Sequence, residues 1–97
     1  MKFIQIIEYT TTKPDEAQAA LDEFLAATEG KRANANGKVC RDRDKPNTYF
    51  NIVEFPSYEV AMKNSEQPET QALSEKMMKI ADGPPTFRNL DVTFEET

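Results

Sequence analysis

The side chain best suited to chemistry in this sequence is Asn51, a carboxamide inside the largely apolar run at residues 48–55. Burying a carboxamide without a hydrogen-bond partner costs roughly 2 to 7 kcal/mol, so a partner is expected in the protein or on a ligand. In a cavity, the amide could hold a phenol or stabilise an enolate as negative charge develops. The alternative is an asparagine that bonds to water or to a neighbouring strand.

Two residue types narrow the possible chemistry, because the chain has no histidine and only one cysteine, Cys40. A histidine-assisted nucleophile, a histidine-ligated haem and a histidine-based zinc or iron site are therefore excluded. The sequence also lacks the closely spaced aspartates of a calcium loop, so no metal or cofactor is predicted. Across a hairpin closed at Lys45-Pro46, Cys40 is expected opposite Asn51, beside its amide. A lone cysteine can equally be a small buried apolar group.

Other side chains could share a cavity with Asn51. Asn34 and Asn36 fall on one face if their strand is regular, and they are predicted to bind substrate there. Surface positions on an edge strand are the alternative. Three tyrosines carry a hydroxyl that could orient a phenol or relay a proton, although core packing is an alternative for each: Tyr9, Tyr49 and Tyr58.

Charge and hydropathy exclude several kinds of partner. The net charge is −5 and the pI is near 4.7, so a phosphate backbone would be repelled and nucleic acid is not predicted as a partner. Basic residues at 38–45 alternate with acids, which is typical of a solvated hairpin edge. No apolar run approaches the ~20 residues that span a membrane. Gln5 and Glu8 interrupt the first apolar run too early for a signal peptide, so a cytoplasmic location is predicted.

Hydrophobic patterning and turn residues predict the elements that must position these side chains. Strands are predicted at residues 3–9, 31–43, 48–55 and 86–95, and helices from Pro14 to a stop at Gly30, from an N-cap at Ser57 to Ser65, and at residues 69–81. Asn36-Gly37 could instead form a tight hairpin turn within the second strand.

The predicted order is β-α-β-β-α-β, which indicates an α+β, ferredoxin-like domain over residues 1–97 with a four-stranded antiparallel sheet. Two helical regions cover only one face of such a sheet, yet the first and third strands are apolar on both faces. Ile4, Ile6, Phe50 and Ile52, or the residues on the opposite face of the same strands, would form an exposed apolar patch in a monomer. A homodimer through the exposed sheet face is therefore predicted.

The run from Tyr49 to Met62, YFNIVEFPSYEVAM, and the Asp82-Gly83-Pro84-Pro85 turn before the last strand resemble the dimeric α+β barrel superfamily. Within it, the chain is most similar to antibiotic biosynthesis monooxygenase domains, over nearly its whole length. The resemblance implies a cavity between helices and sheet in each subunit, and a barrel formed by two sheets. It also implies oxidation of electron-rich phenolic or anthrone-like molecules by O₂ without a cofactor.

Cofactor-free members of this family use three functional residues, and the resemblance implies the matching positions here. They are an asparagine on the third strand, a tryptophan at the end of that strand and a tyrosine on the next helix. Here they are Asn51, Phe55 and Met62, so only the asparagine is kept. Tyr58 lies about one turn before the tyrosine position. Haem-degrading relatives need a histidine that this chain lacks. These positions imply Asn51 as the catalytic residue, with Phe55, Tyr58 and Met62 among the substrate-binding residues.

Three functional hypotheses follow from the sequence. The first is a cofactor-independent monooxygenase acting on a small aromatic or polyketide-like molecule. The second is a dimer that binds such a ligand without turnover, which the missing tryptophan and tyrosine favour. The third is a structural module whose cavity is filled by Phe24, Met62 and Met77, and a cavity too small for an aromatic ring would favour it.

Overall fold

The computed structural model describes residues 1–31 and 35–96, which contain four strands and three helices. The strands are β1 (Phe3–Thr10), β2 (Asn36–Arg41), β3 (Thr48–Phe55) and β4 (Thr86–Asp91), and the helices are α1 (Pro14–Ala27), α2 (Tyr58–Ser65) and α3 (Pro68–Ile80). This order confirms the predicted ferredoxin-like α+β fold, in which the second helical region consists of two helices.

The four strands form one antiparallel sheet in the order β2-β3-β1-β4. Residues directly opposite each other in neighbouring strands project from the same face. One face carries the opposed pair Tyr9 and Tyr49 and lies against the helices, and we call it the inner face. The other carries the opposed pair Ile6 and Ile52, and we call it the outer face.

The predicted start and stop signals lie at the element boundaries. Pro14 occupies the first turn of α1, where its missing N–H leaves no helical bond unmade. Ser57 is the N-cap of α2, and its hydroxyl accepts a hydrogen bond from the Val60 amide at 3.2 Å. Gly83 follows α3 with φ 132°, a conformation that residues with a Cβ rarely adopt.

The core under α2 consists of Phe3, Phe55 and Ala61, with Val53, Val60 and Met62 packed against it. Phe3 lies directly opposite Phe55 on the inner face. The Phe3 ring also meets the Tyr58 ring edge to face, with centroids 5.3 Å apart. This cluster lies at the end of the sheet where β1 begins and β3 ends.

A buried threonine ties elements together at the opposite end of the sheet. The Thr11 hydroxyl donates to the Ile80 carbonyl at the end of α3 and accepts from the Lys13 amide, at 2.9 and 3.0 Å. Its backbone amide donates to the Asn47 carbonyl, 2.9 Å away in the β2–β3 loop. Thr11 therefore joins the end of β1 to α1, to α3 and to that loop. We call this set of contacts the Thr11 junction.

Strand β2 is shorter than the predicted segment at residues 31–43, and Asn36 and Gly37 lie within it rather than in a turn. Gly37 and Val39 project from the inner face, opposite Val53 and Asn51. Both residues are exposed, so no side chain covers this part of β2 closely. Strand β4 ends at Asp91, before the predicted limit of residue 95.

The predicted position of Cys40 opposite Asn51 is wrong. Cys40 lies opposite Phe50, so its thiol projects from the outer face, and Val39 takes the place opposite Asn51. The prediction closed the hairpin between Lys45 and Pro46, whereas the register centres the loop on Lys45 itself. The observed pairing of the two strands therefore differs from the predicted pairing by one residue. Because side chains alternate along a strand, this difference moves Cys40 to the other face.

The outer face has an apolar centre within a charged rim. Ile4, Ile6, Phe50 and Ile52 are only partly buried there, and no helix of the described residues packs on them. Glu54 lies at the rim, with its carboxylate 3.6 Å from the Lys2 ammonium. Within residues 1–31 and 35–96, no helix has the length and hydropathy needed to cross a membrane.

Candidate functional site

A cavity of about 270 Å³ lies between the inner face of the sheet and helices α1 and α3, beside the Thr11 junction. This volume exceeds the ~150 Å³ in which an engineered apolar cavity holds benzene. The cavity therefore does not support the hypothesis of a filled, purely structural interior. Its lining comes from both layers of the fold: Tyr9, Thr11, Pro14, Asp15, Ala17, Gln18, Leu21, Val39, Tyr49, Asn51, Leu73 and Met77.

Asn51 lines this cavity with an unpaired polar atom. Its side-chain oxygen Oδ1 is buried and has no hydrogen-bond partner among the described residues. The residues directly opposite it are Ile7 in β1 and Val39 in β2, which have aliphatic side chains. The sheet neighbours on both sides therefore offer no side-chain donor. An unpaired buried acceptor costs about 1 to 3 kcal/mol, and a ligand hydroxyl could satisfy it.

Tyr9 and Tyr49 form a second polar feature of the cavity wall. They lie opposite each other in β1 and β3, and their rings stack with centroids 5.9 Å apart and planes 22° apart. Burial raises the pKa of the Tyr9 hydroxyl above its usual value of 10.0, and the nearby Tyr49 raises it further. Tyr9 is therefore a neutral phenol at physiological pH, able to donate or accept a hydrogen bond.

This raised pKa predicts an alkaline loss of stability. The folded protein holds the Tyr9 proton more tightly than the unfolded chain. The contribution of the protonated Tyr9 to the free energy of unfolding is therefore fully present below pH 10.0. It is lost as the pH rises through the raised pKa. Denaturation at a series of alkaline pH values should show a fall in unfolding free energy that Tyr9→Phe removes. The exposed Tyr58 supplies the control, Tyr58→Phe, which should keep the fall; an unchanged profile in Tyr9→Phe would contradict the prediction.

The structure brings only part of the predicted binding set together. Tyr49 and Asn51 both line the cavity. Cys40 and Asn36 project from the outer face, since Asn36 lies opposite Glu54, and Asn34 lies outside the described residues. The expectation that Asn36 lines the cavity is therefore wrong, because its strand position has the opposite parity from Val39.

Three further predicted residues lie away from the cavity, in or beside the core under α2. Phe55 is buried against Phe3, Met62 packs on the same cluster, and Tyr58 is half-exposed with its ring against Phe3. None of the three is among the residues that line the cavity. Of the positions carried over from the family resemblance, only Asn51 therefore lines the cavity.

Of the cavity residues, Met77 was expected from the sequence to fill the cavity, whereas Leu21, Leu73 and Val39 were not singled out. Leu21 of α1 and Leu73 and Met77 of α3 form the apolar wall that faces the sheet. Leu73 and Met77 are four residues apart, a spacing that places them on one face of α3, but helical spacing does not show that a gap remains between a helix and the sheet. Val39 was missed because the predicted register placed Cys40 opposite Asn51.

A second, open cleft of about 490 Å³ lies along the β2–β3 loop. Tyr49 lines both spaces. The remaining residues of the cleft are Arg41, Asp42, Arg43, Lys45, Pro46 and Asn47. Within residues 1–31 and 35–96, no group of three or more cysteine or carboxylate side chains could hold a metal ion.

No protein-family model matches the sequence, and no curated protein matches it either. Solved structures do match its fold. A presumed antibiotic biosynthesis monooxygenase from Caulobacter crescentus superposes with a TM-score of 0.83 at 12% identity, covering 96% of this chain and 91% of that one. SnoaB, a cofactor-independent oxygenase from Streptomyces nogalater, has a TM-score of 0.80 at 16% identity, covering 97% and 95%. Rv0793 from Mycobacterium tuberculosis has a TM-score of 0.78 at 13% identity and covers all of both chains.

At these identities the comparisons establish the architecture, which agrees with the resemblance noted in the run from Tyr49 to Met62. The chain therefore has the fold found in structures of antibiotic biosynthesis monooxygenase domains.

Proposed function

We propose that the protein is a cofactor-independent monooxygenase that oxidises a small, electron-rich aromatic molecule with O₂. The observation that carries the proposal is the buried, unpaired Oδ1 of Asn51 in the wall of a cavity large enough for an aromatic ligand. Structural similarity to SnoaB, named as a cofactor-independent oxygenase, supports the same reaction class.

Asn51 would act by holding the oxygen that becomes negatively charged. Its Oδ1 accepts a hydrogen bond from a substrate hydroxyl, and its Nδ2 donates to the enolate oxygen that forms when the CH₂ group of the substrate loses a proton to water. Fixed donors of this kind stabilise developing charge strongly in a site with little water. For an anthrone, the overall reaction converts a CH₂ group and O₂ into a carbonyl group and water, so the substrate supplies all four electrons.

Oxygen consumption tests this proposal. The purified protein is mixed with a panel of anthrones and hydroquinones, and O₂ uptake and product formation are recorded against buffer. With anthrones we expect one O₂ consumed per carbonyl formed and a rate for Asn51→Ala lower by about 100-fold, the scale of losing one oxyanion donor. Equal rates for the two proteins would remove Asn51 from the mechanism, and no uptake above buffer would reject the oxygenase activity.

A second candidate is a protein that binds the same ligand without oxidising it. This candidate is favoured by the positions of Phe55 and Met62, which stand where the resemblance implies a tryptophan and a tyrosine and lie outside the cavity. Binding of a hydroxylated anthraquinone, measured by calorimetry, without O₂ uptake on any anthrone would establish this function instead.

We further propose that the protein is a cytoplasmic homodimer whose two outer faces meet. The partly buried Ile4, Ile6, Phe50 and Ile52 give the face an apolar centre. Lys38 and Arg88 lie opposite Ile52 and Ile6 in the neighbouring strands, and Glu8 and Glu54 lie nearby, so the same face carries both charges. In a two-fold dimer each patch meets its own copy, so a charged side chain needs a side chain of opposite charge on the same face. The outer face, with an apolar centre and both charges, meets this requirement.

A further inference from the structure

We propose that the cleft beside the β2–β3 loop binds a carboxylate carried by the same aromatic molecule that occupies the cavity. This inference deepens the proposed function, since it rests on an aromatic ligand at Asn51 and assigns its chemical class. The ligand would be a hydroxylated aromatic acid rather than a neutral phenol.

The charge of the cleft supports an anionic group. Three cationic side chains line it, from Arg41, Arg43 and Lys45, against the single carboxylate of Asp42. The whole chain carries a net charge of −5, so this local excess of positive charge opposes the overall balance. Among the ion pairs within residues 1–31 and 35–96, none involves these three cations. Arginine is well suited to a carboxylate, because its planar guanidinium can make two parallel hydrogen bonds.

The Asp42 carboxylate is already engaged by the loop itself. Its Oδ1 accepts hydrogen bonds from the backbone amides of Asp44 and Lys45, at 2.9 and 3.1 Å. The Asp42 amide donates to the Thr48 carbonyl, and the Thr11 amide donates to the Asn47 carbonyl, each at 2.9 Å. These bonds anchor both ends of the loop that carries the cations.

The register of the sheet places the cleft next to the cavity. On the inner face, Val39 and Asn51 form one opposed pair and line the cavity, whereas Arg41 and Tyr49 form the next pair towards the loop. Two residues along a strand span about 7 Å. A substituent about 7 Å from the group that is hydrogen-bonded to Asn51 would therefore lie near Arg41. A substituent about 14 Å from that group would lie beside the loop. Two or three fused rings have the length to bridge these points.

Binding measurements with a matched pair of probes test the inference without requiring turnover. The probes are a dihydroxyanthraquinone carboxylate and its primary carboxamide, which differ in charge and little in shape, titrated into the full-length protein by calorimetry. We expect the carboxylate to bind about tenfold more tightly than the carboxamide at low ionic strength, with the difference shrinking as salt is added.

Two double substitutions test whether the preference for the carboxylate arises in the cleft. Arg41→Gln combined with Arg43→Gln should bring the two probe affinities together by weakening the carboxylate alone. Lys63→Gln combined with Lys79→Gln removes the same charge from exposed helix positions outside the cleft and should leave the tenfold preference intact. Thermal denaturation of each variant checks that the fold is retained.

The outcomes separate this inference from the proposed function. Equal affinity for both probes in the unaltered protein, or a preference that survives the double arginine variant, would overturn the inference and leave the oxygenase proposal standing. A charge-dependent preference without O₂ uptake on any anthrone would support the inference and reject the oxygenase. Failure of both probes to bind would reject the aromatic acid as the ligand class.

Discussion

Replacing Asn51 by leucine is expected to lower activity and raise stability together. The carboxamide oxygen is buried without a partner, between Ile7 and Val39 in the neighbouring strands. Leucine has a similar size and no polar atom, so the cost of the unpaired acceptor, about 1 to 3 kcal/mol, disappears. We expect the free energy of unfolding to rise by about 1 kcal/mol, and kcat/KM for anthrone oxidation to fall at least 100-fold.

Chemical denaturation and O₂ uptake on the same preparations measure both effects. The matched control is Asn64→Leu, which makes the same exchange at a partly buried position on α2, away from the cavity lining. This variant should keep the activity of the unaltered protein. A loss of stability in Asn51→Leu would show that the side chain has a structural partner, and its role would then be to hold the fold rather than the ligand.

Placing a charge at the centre of the outer face is expected to separate the proposed dimer. Ile52 lies directly opposite Ile6 in that face. In a two-fold contact, Ile52→Glu would bury two carboxylates near each other, and desolvation of unpaired charges costs several kcal/mol per ion. We expect the dimer dissociation constant to rise by at least about 1,000-fold, which corresponds to roughly 4 kcal/mol.

Analytical ultracentrifugation over a dilution series measures this change. Met78→Glu introduces the same charge at an exposed apolar position on α3, 66% accessible, and should leave the dimer intact. Circular dichroism shows whether each monomer remains folded. An unaltered protein that sediments as a folded 11.0 kDa particle at micromolar concentration would reject the outer-face dimer.

Local signals in the sequence predicted most of the fold, because each boundary depends on a few neighbouring residues. Pro14 and Ser57 predicted the starts of two helices, and the limits of β3 matched the apolar run at residues 48–55. The alternation along β3 also placed Tyr49 and Asn51 on one face. These features follow from backbone geometry and hydrogen bonding within short segments.

The composition of the site depended on long-range geometry that the sequence specifies less directly. An error of one residue in the pairing of β2 with β3 exchanged Cys40 for Val39 beside Asn51. The cavity also needs a gap between two helices and a sheet, and helical spacing gives only the direction of Leu21 and Met77, not their distance from β3. Likewise, Phe55 lies under α2, the helix that carries Met62, because that helix packs at the far end of the sheet.

The Thr11 junction has a consequence for how a ligand would be received. Backbone amides of Thr11 and Asp82, together with the Thr11 hydroxyl, bridge the end of β1 to the β2–β3 loop and to the end of α3. This part of the cavity wall is thus held by hydrogen bonds within the protein, and binding a ligand carries no entropic cost for ordering it. Hydrogen exchange at these amides should be slow in the free protein and nearly unchanged on binding, the signature of a preorganised receptor.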